Sequence, residues 1–316
     1  MNEKQACRRI VVMGAGGMGA LFGSIVQQGG LEVTLIDVHD EHVAAIQRNG
    51  LQVIGFGGDR IVPMAATTQA SEVHEADVVF FQCKSMSSKE AAQSVAHLME
   101  GGAVALSFQN GLGNEEVIAS VVGGDKVLGG LTTMAGAVVS PGVVRDFSRT
   151  PSYIGELAGG MSQRTKDIAD SLTAAGLETH AEDNIKRRIW TKLLANIATS
   201  ALSGATDLAG VDVLGVPELK AVSENAMKEA LAVSDAAGIG LDPVEVEQTL
   251  AEIARPGGTG QNPSSLCMDI RNQRPTEVDF IYGTVAQLGR EHHVETPTLN
   301  TLIGIVKGIE SRYLTD

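Results

Sequence analysis

The chain has 316 residues, enough for two domains with substantial cores, and its 43% hydrophobic and 20% charged residues are ordinary for a globular protein. A formal charge of −14 repels phosphate backbones, and 3% aromatic residues are too few for base-stacking platforms, so nucleic acid is disfavoured as a partner. No apolar run approaches the length of a membrane span, and Met1-Asn2-Glu3-Lys4-Gln5 lacks the charged-then-apolar order of a signal peptide, so a cytoplasmic protein with no membrane partner is expected.

Ile10-Val11-Val12-Met13 predicts a buried strand, and Gly14-Ala15-Gly16-Gly17-Met18-Gly19 follows it directly. Such glycines let the backbone turn tightly and approach a pyrophosphate. A helix opening at Met18 would offer that phosphate free N–H groups and the positive end of its dipole. A second strand, Val33-Thr34-Leu35-Ile36, ends at Asp37, an acidic residue placed to meet ribose hydroxyls. The glycine pattern alone is weak evidence, and a Gly-rich turn in some other α/β unit is the alternative. Flanked by strand and helix and followed by Asp37, it reads as a dinucleotide-binding fingerprint. Gly14, Ala15, Gly16, Gly17, Met18, Gly19 and Asp37 are therefore candidate cofactor contacts.

Helices are predicted over Ala20–Gln28, closed by Gly29-Gly30, and over Glu41–Arg48. Leu51–Ile54 and Ile61–Met64 flank Gly55-Phe56-Gly57-Gly58 as a hairpin or loose meander. Asp77–Cys83, with its unbroken apolar run Val78-Val79-Phe80-Phe81, reads as a strand covered on both faces, and Ala103–Phe108 and Val127–Met134 are similar. Val143-Val144 and Ser152–Gly155 read as short antiparallel strands, and Thr165–Ala175 as a helix. From Ile185 onward strand-like runs stop. Helices are predicted over Ile185–Leu202, Pro217–Ala237, Pro243–Ala254, Leu266–Asn272, Thr276–Glu291 and Thr298–Tyr313, with a helix-free loop at Arg255–Pro263. The expected architecture is α/β: a Rossmann-type doubly wound sheet over residues 1–183, then an all-helical substrate and catalytic domain over 184–316.

Ligands of open α/β sheets sit beyond the strand C-termini. Lys84 and Asn110 fall there. Lys84 suits a cofactor or substrate anion, or is a solvated surface lysine. Asn110 suits a ribose or substrate contact, or belongs to an Asn-Gly turn. Lys192, Asn196 and Ser200 share one side of a helix, as a polar stripe that either faces solvent or lines a cleft; composition favours the solvated face. Ser265 precedes an apolar run and either caps a helix or binds a carboxylate. Asp269 with Arg271 and Arg274 reads as ordinary ion pairing. Cys7, Cys83 and Cys267 lie far apart without ligand spacing, and adjacent His292-His293 point apart on a helix, so free thiols and no metal are expected.

The glycine fingerprint, Cys83-Lys84-Ser85, Gln109-Asn110-Gly111, Trp190-x-Lys192-Leu193-x-x-Asn196, Ser264-Ser265-x-x-x-Asp269 and Thr276-Glu277-Val278-Asp279 together resemble the ketopantoate reductase family over essentially the whole chain. The resemblance implies an active site in the cleft between a Rossmann domain and a helical domain. It implies hydride transfer from a reduced nicotinamide to a 2-oxo acid. Lys192 matches the family's general acid, Asn110 a contact to both cofactor and substrate, and Asn196, Ser200, Asn262 and Ser265 fall at substrate-binding positions. Lys84, Gly136 and Glu277 match cofactor-contacting positions. A lysine ammonium suits the acid role because it stabilises the developing alkoxide and its pKa is lowered by burial.

Three departures stand out. Family members using NADPH have a basic residue just after the second strand, whereas this chain has Asp37-Val38-His39-Asp40, which leans to NAD over NADP. Ser200 stands where the family has Asn, and Gly210 falls where another substrate-contacting Asn is expected. Fewer polar groups mean fewer bonds to the hydroxyls of pantoate. The resemblance implies a ketopantoate reductase-like reduction of 2-dehydropantoate to pantoate, and the alternative is an NAD-dependent D-2-hydroxyacid dehydrogenase for branched or aromatic 2-oxo acids. A non-catalytic dinucleotide sensor is the reading from another class, and it gives no reason for a lysine proton donor. The apolar faces of Leu299–Ile309 suit a homodimer.

Overall fold

The computed structural model describes residues 7–255 and 259–314. The chain forms two compact units. The first runs to Gln109 and resumes over Asn114–Ile185; the second comprises Asn110–Gly113 and the chain from Lys186 onward.

The first unit opens with β1 (Arg9–Met13), α1 (Gly17–Gln28), β2 (Glu32–Ile36), α2 (Asp40–Asn49), β3 (Leu51–Gly55), β4 (Arg60–Val62) and β5 (Ala65–Thr67). It continues with β6 (Val78–Phe81), α3 (Ser88–Ser94), α4 (Ala96–Glu100), β7 (Val104–Ser107), α5 (Asn114–Val122), β8 (Val127–Thr132), β9 (Ala135–Ser140), β10 (Val143–Ser148), β11 (Ser152–Glu156), α6 (Gln163–Ala174) and β12 (Thr179–Ala181). The main sheet has the order β12-β11-β8-β7-β6-β1-β2-β5. From β8 to β5 every pairing is parallel, and β11 is antiparallel to β8. Strand order reverses between β1 and β6, the switch point where such sheets bind ligands. Apart from Arg9 at the start of β1, both strands are apolar, as burial on two faces requires. Phe22 of α1 meets Phe108 edge-to-face at 5.1 Å, and Phe80 of β6 meets Phe108 at 5.7 Å, so aromatic packing fixes α1 against the sheet.

A second sheet, β4-β3-β10-β9, covers the outer side of α1. Its β3–β4 hairpin agrees with the sequence expectation, but β9 was not foreseen. Ala135-Gly136-Ala137 has low strand propensity, and β9 is an edge strand, so neither composition nor alternation marks it. Helices α3, α4 and α5 also lay in stretches without an assigned element.

The second unit is helical: α7 (Ile185–Thr206), α8 (Gly210–Gly215), α9 (Pro217–Ala236), α10 (Pro243–Ala254), α11 (Ser265–Arg271), α12 (Thr284–Glu291) and α13 (Pro297–Glu310). Two expectations need correction. The loop predicted over Arg255–Pro263 contains a 3-10 turn at Thr259–Gln261, and residues 256–258 of it lie outside the described residues. The helix predicted over Thr276–Glu291 begins with a π-helical turn, Asp279–Gly283, and only then becomes α12. That wider turn carries Tyr282, fully buried. Its hydroxyl accepts the Ala201 N–H at 2.9 Å and lies 3.0 Å from the Ile197 carbonyl of α7. A side chain bonded into a neighbouring helix ladder is a recognised cause of local distortion, and π turns concentrate at functional sites.

Candidate active site

The glycine turn is shaped by what its Cβ atoms would meet. Gly14 has φ +95°, and an added Cβ would lie 2.6 Å from the Cys83 backbone nitrogen. At Gly17 a Cβ would overlap the backbone of Gly136 and Ala137, and at Gly19 the Gly14 carbonyl. Gly16 is different: nothing lies within 4 Å of its Cβ position. Three glycines are thus required by packing and the fourth keeps a space open. Gly16 is also the N-cap of α1, without a side-chain cap and with no acidic residue in the first turn. First-turn N–H groups beside an open space form a cradle for an anion, so the residues present fit a dinucleotide pyrophosphate.

Ala15 and Met18 sit inside this turn, Ala15 fully buried and Met18 packed on the core. Asp37 closes β2 as expected. Its Oδ2 accepts the Ala15 N–H at 2.7 Å and its Oδ1 the His39 N–H at 3.0 Å. This carboxylate therefore also anchors the turn, which sequence reasoning did not foresee. Gly136, on β9, packs against the first turn of α1, its Cβ position 3.0 Å from the Gly17 carbonyl. Lys84 is half-buried and precedes a 3-10 turn at Ser85–Ser87, beyond β6. Buried Gln109 ties these ends together, its Nε2 donating to the Cys83 carbonyl at 2.8 Å and to Ser88 Oγ at 2.8 Å.

The second unit builds its site from side chains. Lys192 of α7 donates from Nζ to Asn110 Oδ1 at 2.8 Å. Asn110 is next to Gln109 in sequence, yet it belongs with the helices. There the Leu112 N–H donates to the Phe280 carbonyl at 2.8 Å and Thr284 Oγ1 to the Leu112 carbonyl at 3.2 Å. Gly111 permits this docking: its φ is +88°, and a Cβ would lie 2.5 Å from the Phe280 carbonyl. Burial pushes the Lys192 ammonium down to about 8, against the charge of Glu277, which favours the protonated form. Glu277 is buried just ahead of the π turn. Its segment is held by Glu310 of α13, whose Oε1 accepts the Thr276 N–H at 2.6 Å.

The stripe expected to face solvent is only partly exposed. Lys192 and Asn196 are half-buried, and Ser200 is only 3% exposed, its carbonyl accepting from Ser264 Oγ at 3.2 Å. Along the stripe, Lys192 meets the Asn110 segment and Ser200 lies under the residues that open α11. Ser264, not Ser265, caps α11, accepting the Cys267 N–H at 3.1 Å. Ser265 and Asn262 are exposed, so neither forms a buried cluster with Lys192. Arg271 pairs with Asp207 rather than Asp269, and Asp269 pairs with Arg274 at 3.2 Å. Gly210 opens α8 with its Cβ position 3.2 Å from Gly260, so an Asn there would press on the Thr259–Gln261 turn. On the α13 face read as a dimer surface, Leu299, Leu302 and Val306 are buried within the chain, Ile303 and Ile309 are half-buried and Ile305 is 44% exposed. Among the described residues no helix is long and apolar enough to cross a membrane, and no three His, Cys, Asp or Glu side chains are placed to hold a metal ion.

Residues 10–159 match the family described as ketopantoate reductase PanE/ApbA, and residues 184–310 its C-terminal part. The chain belongs to the ketopantoate reductase family. A 2-dehydropantoate 2-reductase of Halobacterium salinarum is 32% identical over 300 residues, 95% of this chain and 98% of that protein. Among solved structures, a D-mandelate dehydrogenase in ternary complex with NADH and anilino(oxo)acetate has a TM-score of 0.91 at 27% identity, covering 96% of this chain and 99% of that one. A PanE/ApbA family ketopantoate reductase from Ralstonia eutropha has a TM-score of 0.89 at 28% identity, with coverage of 96% and 99%. As a member of this family the chain is an NAD(P)-dependent oxidoreductase.

Proposed function

We propose that the chain reduces a 2-oxo acid to a 2-hydroxy acid with NADH, and that its substrates are branched or aromatic 2-oxo acids rather than ketopantoate. The observation that carries the reaction is the buried Lys192 ammonium bonded to Asn110 Oδ1, with a pKa brought to about 8. The glycine turn would hold the reduced nicotinamide dinucleotide, which would supply the hydride that reaches C2 of the substrate. Lys192 gives its Nζ proton to the C2 oxygen as negative charge grows there, leaving a neutral amine that regains a proton from solvent. Asn110 holds the ammonium in one direction, and Glu277 keeps it charged between turnovers. Half-buried Asn196 and exposed Asn262 and Ser265 would offer donors for the substrate carboxylate, buried Ser200 would act only behind them, and Lys84 and Gly136 would contact the dinucleotide.

Asp37 favours NADH, because a carboxylate accepts from ribose hydroxyls and repels a 2′-phosphate. Ser200 and Gly210 in place of amide side chains leave fewer partners for hydroxyls on the substrate, and the fold likeness to a D-mandelate dehydrogenase points the same way. A panel of 2-oxo acids with each reduced cofactor tests the reading. The expected result is a kcat/KM for 2-oxoisovalerate or phenylpyruvate at least about tenfold above that for ketopantoate, with NADH preferred. Ketopantoate turned over best, with NADPH, would instead make the chain a ketopantoate reductase, the activity named for its Halobacterium salinarum relative.

A further inference from the structure

His42 belongs neither to the glycine fingerprint nor to any other motif of the chain, yet it is buried against the turn. It stands in the first turn of α2 and is 6% exposed. Its Nδ1 accepts the Gly142 N–H at 3.0 Å, from the turn between β9 and β10. An imidazole nitrogen that accepts carries no proton, so the proton of this neutral ring is on Nε2. That Nε2–H donates to the Ala15 carbonyl at 2.9 Å. Gly142 is itself fixed: its carbonyl accepts the Gln52 N–H at 2.9 Å, and a Cβ there would lie 2.8 Å from Ala45 Cβ. The ring is therefore held from behind while it grips the turn in front.

The gripped group matters for chemistry. In a trans peptide the carbonyl and the following N–H point in opposite directions. Fixing the Ala15 carbonyl toward His42 fixes the Gly16 N–H away from it. Glycine tolerates a flipped peptide at little steric cost, so Gly16 alone does not decide which end faces the open space. A flip would turn a carbonyl dipole toward a bound phosphate and break the bond to His42. Asp37 holds the Ala15 N–H on the other side, so both polar groups of Ala15 are committed to side chains.

We propose that His42 is a positioning residue for the dinucleotide, holding the Ala15–Gly16 peptide in the orientation that offers its N–H, and not its carbonyl, to the pyrophosphate. The proposal rests on the cofactor reading above. Calorimetric titration of NADH into the wild-type chain, His42→Leu and His42→Gln tests it, with melting temperatures measured in parallel. His42→Leu keeps the volume but loses the donor and is expected to weaken NADH about tenfold, the size of one hydrogen bond and the order it maintained. In turnover the loss appears in KM for NADH, with little change in kcat at saturating cofactor. His42→Gln can donate to Ala15 and accept from Gly142, and recovers most of the affinity. Should His42→Leu not fold, His42→Asn, whose amide is too short to reach both partners, carries the same expectation. Equal NADH affinity in wild type and the Leu or Asn variant, with only the melting temperature lowered, overturns the positioning role and leaves the cofactor reading intact. A wild-type chain that binds neither NADH nor NADPH overturns both.

Discussion

The two units meet the demands of a reaction with different materials. In the first, the candidate site is backbone: a turn whose glycines are dictated by close approaches, with one open position and side chains such as Asp37 and His42 acting on peptide groups. In the second, the site is side chains: one ammonium, one amide and one carboxylate, brought from α7, the Asn110–Gly113 segment and the residues before α12. A backbone site tolerates little change at a few positions and is blind to its surroundings elsewhere. A side-chain site depends on burial, because Lys192 in water would keep an ordinary pKa and be a poor proton donor at neutral pH.

The contrast can be broken first at its strongest point. Lys192→Met is expected to lower kcat for 2-oxo acid reduction by about 10²–10⁴-fold while NADH titration gives nearly the wild-type affinity. A matching loss of NADH binding would mean that the lysine serves the cofactor. Next come two neighbouring glycines. Gly16→Ala puts a methyl where nothing stands, so melting is unchanged and NADH binding falls by about ten- to a hundredfold. Gly14→Ala strains a left-handed backbone against Cys83 and is expected to lower stability by about 1–3 kcal/mol as well. Equal behaviour of the two would show that the open position is not a ligand space.

Acid–base behaviour sharpens the comparison on the helical side. As the proposed acid, Lys192 would donate only while protonated, and burial brings it to about 8. The kcat for reduction should therefore hold at neutral pH and fall as pH rises through about 8, while the reverse oxidation gains over the same range. Glu277 opposes the burial effect, so Glu277→Gln should move this limb to lower pH. The smallest effect separates two adjacent serines. Ser264→Ala removes the α11 cap and is expected to cost about 1 kcal/mol without altering kcat. Ser265→Ala should leave melting alone and raise KM for the 2-oxo acid by about three- to tenfold.

The same contrast governs how much of the molecule is legible in its chain. The glycine turn, Asp37 and the parallel strands were legible because each carries a local requirement: a left-handed φ at Gly14 with close approaches at Gly17 and Gly19, a strand buried on both faces, an acid at a strand end. His42 was not, since nothing local distinguishes it from a surface histidine on a helix beginning Asp40-Glu41; its role comes from the β9–β10 turn folding back on α2. Lys192 and Asn196 were found by resemblance, but their half-burial ran against the composition of α7, because what covers a helix face depends on segments far away in sequence, such as the one carrying Asn110. The cap of α11 was displaced by one residue between two identical serines, a distinction that needs backbone dihedrals.

One short turn has reach beyond its length. The five residues Asp279–Gly283 send the Phe280 carbonyl to the segment carrying Asn110 and the Tyr282 hydroxyl to the helix carrying Lys192. Donor and acceptor of the Lys192–Asn110 bond thus share a single keystone. A π turn holds one residue more than the α-helical register allows, so excising one residue would convert it to regular helix and change the directions in which the Phe280 carbonyl and the Tyr282 side chain point. Phe280 and Tyr282 could then no longer serve both clients at once, and the Lys192–Asn110 bond on which the proposed acid depends would be lost without any change to the lysine.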